Sequence, residues 1–183
     1  MKLIRTLFVS ASAIALMATV ALANPMVGGA EMFPNKNIIQ NALNSKDHTT
    51  LVTAVKAADL VDTLQGTGPF TVLAPTNEAF AALPAGTVDT LLKPENKAQL
   101  VKILTCHVIA GDVMSNAITS MVKSEGGKHE VTTVGGCKLI FSSANGKVNI
   151  TDESGGVATV TIADVKQSNG VIHVINHVLL PKS

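Results

Sequence analysis

From His129 to the C-terminus the chain is a series of short segments rich in Val, Ile and Thr: "HEVTTV", "CKLIFSS", "KVNIT", "ATVTIADV" and "VIHVINHVLLP". Between them stand Gly- and Asn-rich links, "VGGC", "ANGK", "ESGGV" and "SNGV". β-Branched side chains fit a pleated, half-buried surface, and Gly or Asn supplies the backbone conformations of tight hairpins. In "KVNIT" the polar and apolar residues alternate from Lys147 to Thr151, the period of a strand with one wet face. This half of the chain is expected to form an antiparallel sheet.

The first half carries the other period. Ile38, Ile39, Ala42 and Leu43 fall at helical spacing, and Leu51, Val52, Val55 and Ala58 repeat the pattern with Lys56, Asp59 and Asp62 on the opposite side. "GTGPF" then punctuates the chain before a short apolar strand, Phe70 to Ala74. Further helices are expected in "GTVDTLL" and, after Pro94, in "ENKAQLVKILTCH", where Leu100, Ile103 and Leu104 share a face. Helices segregated before strands argue for a single α+β domain over residues 36–183, with no long linker and no internal repeat. Residues 24–35, with Gly, Pro and scattered Met but no periodicity, read as a flexible lead-in.

Lys2 and Arg5 precede an apolar run from Leu7 to Leu22, and Ala21 and Ala23 place small residues where a signal peptidase reads. Residues 1–23 are therefore expected to be a secretory signal cleaved before Asn24, leaving a secreted or periplasmic product not embedded in a membrane. Removing Lys2 and Arg5 with the leader takes the formal charge from +1 to −1. That balance gives no electrostatic footprint for nucleic acid, and without Trp or Tyr there are few stacking platforms for bases or sugar rings. Both cysteines, Cys106 and Cys137, lie in the exported part, where oxidising conditions favour a disulfide. Two buried thiols are the alternative; the spacing of a structural zinc site is missing.

The residue types that could carry chemistry are better explained by structure. His173 and His177 lie four apart, which on a helix would suit zinc, but their β-branched neighbours indicate a strand, where four residues span roughly 13 Å. No G-x-S-x-G elbow accompanies the serines, and "GTGPF" precedes a strand instead of opening a phosphate-binding helix. "NITDESGG" gathers oxygen ligands without the order of a calcium loop, and its Asn149-Ile150-Thr151 is a formal glycosylation sequon. In "FTVLAPTNEAFAALP", Pro75 lacks a strand's donor, Thr76 can cap the helix amides and Glu78 suits the first turn. That stretch reads as a rigid joint between sheet and helix.

Together, "FTVLAPTNEAFAALP" and "NGVIHVINHVLLP" resemble the two hallmark segments of the fasciclin-like adhesion domain family. "LTCHVIAGDV" between them resembles its central Tyr-His motif, and the likeness covers about Asn37 to Pro181. The resemblance implies N-terminal helices packed on an antiparallel β-wedge, and a non-enzymatic exported protein that needs no cofactor or metal. It implies a protein or cell-surface component as partner, met by a monomer. It also implies framework roles for Pro75, Thr76, Asn77, His107 and His173. The family's Tyr is Cys106 here, which makes a cysteine available to pair with Cys137 on the "GGCKLIF" strand. Asp164 occupies the position of an acidic motif through which animal relatives contact partners. The runner-up function is a periplasmic or secreted carrier of a lipid or other small hydrophobe.

Overall fold

The computed structural model describes residues 23–182. The expected signal segment lies outside them except for Ala23, so the leader and its cleavage rest on the sequence alone.

The chain opens with a hairpin of two short strands, β1 (Met26–Val27) and β2 (Ala30–Glu31). Three helices follow: α1 (Ile38–Ala42), α2 (Thr49–Ala57) and α3 (Val61–Gln65). β3 (Phe70–Pro75) leads into α4 (Asn77–Ala81), α5 (Thr87–Leu91) and α6 (Lys97–Thr105). After β4 (Val108–Ala110) and α7 (Ser115–Ser124) come the strands of the second half. These are β5 (Lys128–Thr132), β6 (Lys138–Ala144), β7 (Lys147–Thr151), β8 (Val157–Gln167) and β9 (Gly170–Ile175).

One seven-stranded sheet has the order β4-β3-β9-β8-β7-β6-β5. The helix-then-strand architecture of the sequence reading holds. The second half pairs antiparallel from β5 through β9 as expected, and the full sheet is mixed because β3 runs parallel to β9, with Phe70 opposite Gly170 and Leu73 opposite His173. A parallel pair belongs where both faces are covered, and β3 and β9 are buried along nearly their whole length.

Side-chain alternation along these central strands feeds two cores, one on each face. Val72, Ala74, Ile172 and Val174 join the helices α1, α2 and α6 in one cluster. Leu73 and Ile175 point the other way, to α7 and the β6–β8 hairpins, where they meet Phe141, Leu139, Ile150 and Val122. α7, which the sequence reading passed over, covers this second face with Ile118 and Val122 at i, i+4 spacing.

The lead-in is also not as expected. Residues 24–35 are not a loose tail, because Val27 and Met32 are 4% and 2% exposed and pack into the helical core. Burial of these two side chains, with the Met32 amide donating to Pro25 O at 2.9 Å, fixes a segment whose strands are too short to show a period.

Candidate functional site

The residues singled out by the sequence fall into three local assemblies. The first is the joint at Pro75. Pro75 ends β3, Thr76 takes extended backbone (φ −73°, ψ 166°), and its hydroxyl accepts from the Ala79 amide at 3.3 Å to cap α4. Asn77 does more than its place in a first turn suggests. Its Oδ1 accepts from the Thr50 amide at 3.0 Å and the Thr49 hydroxyl at 3.2 Å, while Nδ2 donates to Lys46 O at 2.9 Å. Asn77 thus supplies the side-chain cap that His48, at the start of α2, does not provide.

The second assembly centres on His107 and the cysteines. Cys106 is the αR residue that ends α6, not part of a strand, and it is bonded to Cys137, which precedes β6; both are 1% exposed. The turn before Cys137 lies directly on the helix end. The Gly135 amide donates to Thr105 O at 3.0 Å, and a Cβ at Gly135 would stand 2.6 Å from Thr105 Oγ1, so only glycine allows this approach. His107 Nδ1–H donates to Ile103 O at 2.8 Å, and Nε2 accepts from the Leu179 amide at 2.9 Å. Burial pushes its pKa down to about 4, against the raising effects of the Ile103 carbonyl and Asp152. A neutral imidazole with both nitrogens engaged is a tie between α6 and the C-terminal segment, not a free base.

The third assembly joins His173, Asp164 and Ser115. His173 is 1% exposed; Nε2–H donates to Val113 O at 2.8 Å, and Nδ1 accepts from the Asp164 amide at 3.2 Å. Asp164 sits at φ +59° within an irregular stretch of β8, where the register shifts between Ile162 and Val165. Its carboxylate accepts from the Ser115 amide at 2.7 Å and from the Ser115 hydroxyl. Asp164 therefore fastens the start of α7, and its side chain is one-third exposed (33%). The trio holds the residue types of a nucleophilic triad in the wrong order: the carboxylate meets the serine, and the imidazole faces backbone groups.

Among the described residues no three His, Cys, Asp or Glu are grouped to hold a metal, and both ring nitrogens of His173 are engaged by backbone groups. Asn149 Oδ1, in the sequon, accepts from the Thr159 hydroxyl at 2.8 Å across the sheet.

Two amide side chains were missed. Asn41, fully buried, exchanges hydrogen bonds with both backbone groups of Phe33 and donates to Gln167. Asn169 accepts from the Ile38 amide at 3.0 Å and donates to Leu64 O and Gly66 O at 2.8 and 3.0 Å. Both lock the helical layer to the β8–β9 end of the sheet. Their partners are distant in sequence, so no local pattern announces them.

The fasciclin domain model matches residues 46–181. The chain belongs to the fasciclin domain family. It is 51% identical over 144 residues to protein sll1483 of Synechocystis sp., covering 79% of this chain and 73% of that protein. It is 33% identical over 158 residues to the cell surface glycolipoprotein MPB83 of Mycobacterium bovis, covering 86% and 61%. Among solved structures it matches the FAS1 domain pair of the insect cell adhesion molecule fasciclin I, with a TM-score of 0.72 at 18% identity over 80% of this chain. The chain spans about half (51%) of that structure's length, and at this identity the likeness concerns the fold. The match bears out the resemblance of "FTVLAPTNEAFAALP" and "NGVIHVINHVLLP" to the family's hallmark segments. No helix of the described residues is long and apolar enough to cross a membrane.

Proposed function

We propose that this chain is an exported, non-enzymatic adhesion protein whose single fasciclin domain binds a protein or cell-surface component without a cofactor. The observation that carries the reading is the turn Thr133–Cys137. It is pinned by the disulfide, by the Cys137 amide donating to the Thr133 hydroxyl at 3.0 Å, and by the Val134 amide donating to Val108 O at 2.8 Å. At its tip Val134 stands 54% exposed, an apolar side chain held outward by a rigid frame. Rigid presentation lowers the ordering cost of a contact, which is how a loop on a fixed scaffold becomes a recognition surface. The surface placement named for the mycobacterial relative and the adhesion role named for the insect protein agree with it.

Asp164 enters this reading as a contact of the same class, with its exposed third available beyond the Ser115 bonds. Cells of the source organism attaching to a surface coated with the oxidised mature protein, against a denatured coating, test the proposal. Saturable, fold-dependent attachment that falls with Val134→Asp is expected, with a smaller fall for Asp164→Asn. Attachment equal to the denatured control would end the adhesion reading.

A further inference from the structure

Two of the links between strands contain the same dipeptide, Asn-Gly, at Asn145-Gly146 and at Asn169-Gly170. The fold treats them differently. Asn145 and Gly146 form the two-residue tip of the β6–β7 hairpin, closed by Ala144 opposite Lys147. Their φ values of +52° and +74° are those a type I′ turn demands, which is why Asn-Gly stands there. Both are exposed, as are Ser143, Ala144 and Lys147 around them. Among the described residues nothing hydrogen-bonds the Asn145 side chain or the Gly146 amide. Apart from its chain neighbours, no atom lies within 4 Å of where a Cβ of Gly146 would stand.

Asn169 is the opposite case. Its Oδ1 accepts from the Ile38 amide, its Nδ2 donates to Leu64 O and Gly66 O, and its carbonyl accepts from the Phe70 amide at 3.1 Å. Gly170 lies so close to Phe70 that a Cβ would fall 1.9 Å from Phe70 O.

We propose that Asn145 is a site of spontaneous modification, converted by solvent water to aspartate and isoaspartate, while the clamp on Asn169 protects the same dipeptide. The Gly146 amide nitrogen, giving its proton to solvent base, attacks Cγ of Asn145; the Cγ–Nδ2 bond breaks and ammonia leaves, closing a succinimide ring. Water then opens the ring at either carbonyl. Opening at Cγ restores the main chain with an aspartate. Opening at the main-chain carbonyl routes the chain through Cβ and Cγ and leaves that carbonyl as a free carboxylate. Glycine makes residue 146 a competent nucleophile, since no side chain shields its nitrogen. At Asn145 the approach of nitrogen to Cγ is opposed by the turn conformation and the Ala144–Lys147 pair alone. At Asn169 it requires the loss of the Ile38, Leu64 and Gly66 hydrogen bonds and movement of Gly170 against Phe70. Either product adds a negative charge to the hairpin tip, and isoaspartate also lengthens the main chain of a turn whose two residues match the twist of its strands. The isoaspartyl chain is therefore a more acidic form with a loosened β6–β7 hairpin.

Peptide mapping by mass spectrometry of the oxidised mature chain, held folded in mildly alkaline buffer and sampled over time, tests the proposal, with the chain unfolded in guanidinium chloride as reference. Unfolded, the two Asn-Gly pairs should convert at similar rates. In the folded chain Asn145 should keep more than about a tenth of its unfolded rate, because a hairpin tip opens at little cost. Asn169 reacts only from opened molecules, a fraction on the order of 10⁻³ or less, and should lag Asn145 by at least ~100-fold. Equal rates at the two sites in the folded chain, whether both fast or both slow, would overturn the proposal, and that comparison needs no variant. The isoaspartyl form, separated by anion exchange, should show faster amide exchange at Lys147 than the unaltered chain; an unchanged rate would overturn the loosening of the hairpin. The length of β6 separates Asn145 from the Cys137 turn, so attachment through Val134 and conversion at Asn145 fail separately.

Discussion

The two faces of the sheet are packed differently. On the α7 side, Phe141, Leu139, Ile150 and Ile175 are at most 1% exposed and belong to one apolar cluster. On the helical side, more elements converge, a two-residue-strand hairpin closes the layer, and a cavity of about 40 Å³ remains. The contrast follows from construction. Strands in register bring side chains together at fixed spacing, whereas short helices of five residues must meet the sheet at whatever angle their loops allow. The face built from a hairpin stack is closed by one tight apolar cluster, and the face assembled from short pieces keeps room.

The sharpest way to break this contrast is truncation in the compact face. Phe141→Ala should cost about 3–5 kcal/mol in urea unfolding, because a side chain 1% exposed leaves a void that its neighbours cannot fill. A cost under ~1 kcal/mol would show that the α7 face repacks freely. Next comes the disulfide, which closes a loop of 31 residues between the end of α6 and β6. The double change Cys106→Ala, Cys137→Ala should lower stability by roughly 3–4 kcal/mol on the chain-entropy relation.

A pH titration tests the helical side. His107 is neutral in the fold, with its pKa depressed from 6.5 to about 4, and burial lowers His48 in the same direction. Between these values the unfolded chain binds a proton that the folded chain refuses, so stability falls as pH drops from about 6.5 towards 4. His107 alone accounts for roughly 3 kcal/mol of that loss. The slope should flatten in His107→Gln if that residue is its source; an unchanged slope would assign the loss elsewhere. The smallest effect is expected at the cavity: Val27→Ala enlarges a space that already exists and should cost only about 1 kcal/mol, several-fold less than Phe141→Ala. Equal costs would erase the distinction between the two faces.

Much of this was legible because it is local. Alternation in "KVNIT" and the helical spacing of Leu51, Val52 and Val55 appear in the structure as β7 and α2, since a period is written within one element. The Pro75–Thr76–Asn77 joint was legible for the same reason, although the reach of Asn77 to Lys46 and Thr50 was not. What escaped depends on distant partners: the parallel register of β3 on β9, the Asn41–Gln167 contact and the Asn169 clamp. The hairpin escaped because two-residue strands have no period to read. At Asp164 the sequence offered an acidic residue at the right place, but only the structure shows its carboxylate already fastening Ser115.

The pairing of β3 with β9 has a consequence in time. These strands form the middle of the sheet, yet Phe70 and its partner Gly170 are separated by most of the domain. Before the last strand exists, β3 has only β4 beside it, and the helical layer has no completed surface to settle on. Such long-range closure makes folding slow and late. During synthesis the centre of the sheet therefore stays unpaired until β9 has emerged, while the β5–β8 hairpins, built from neighbouring segments, need not wait for it.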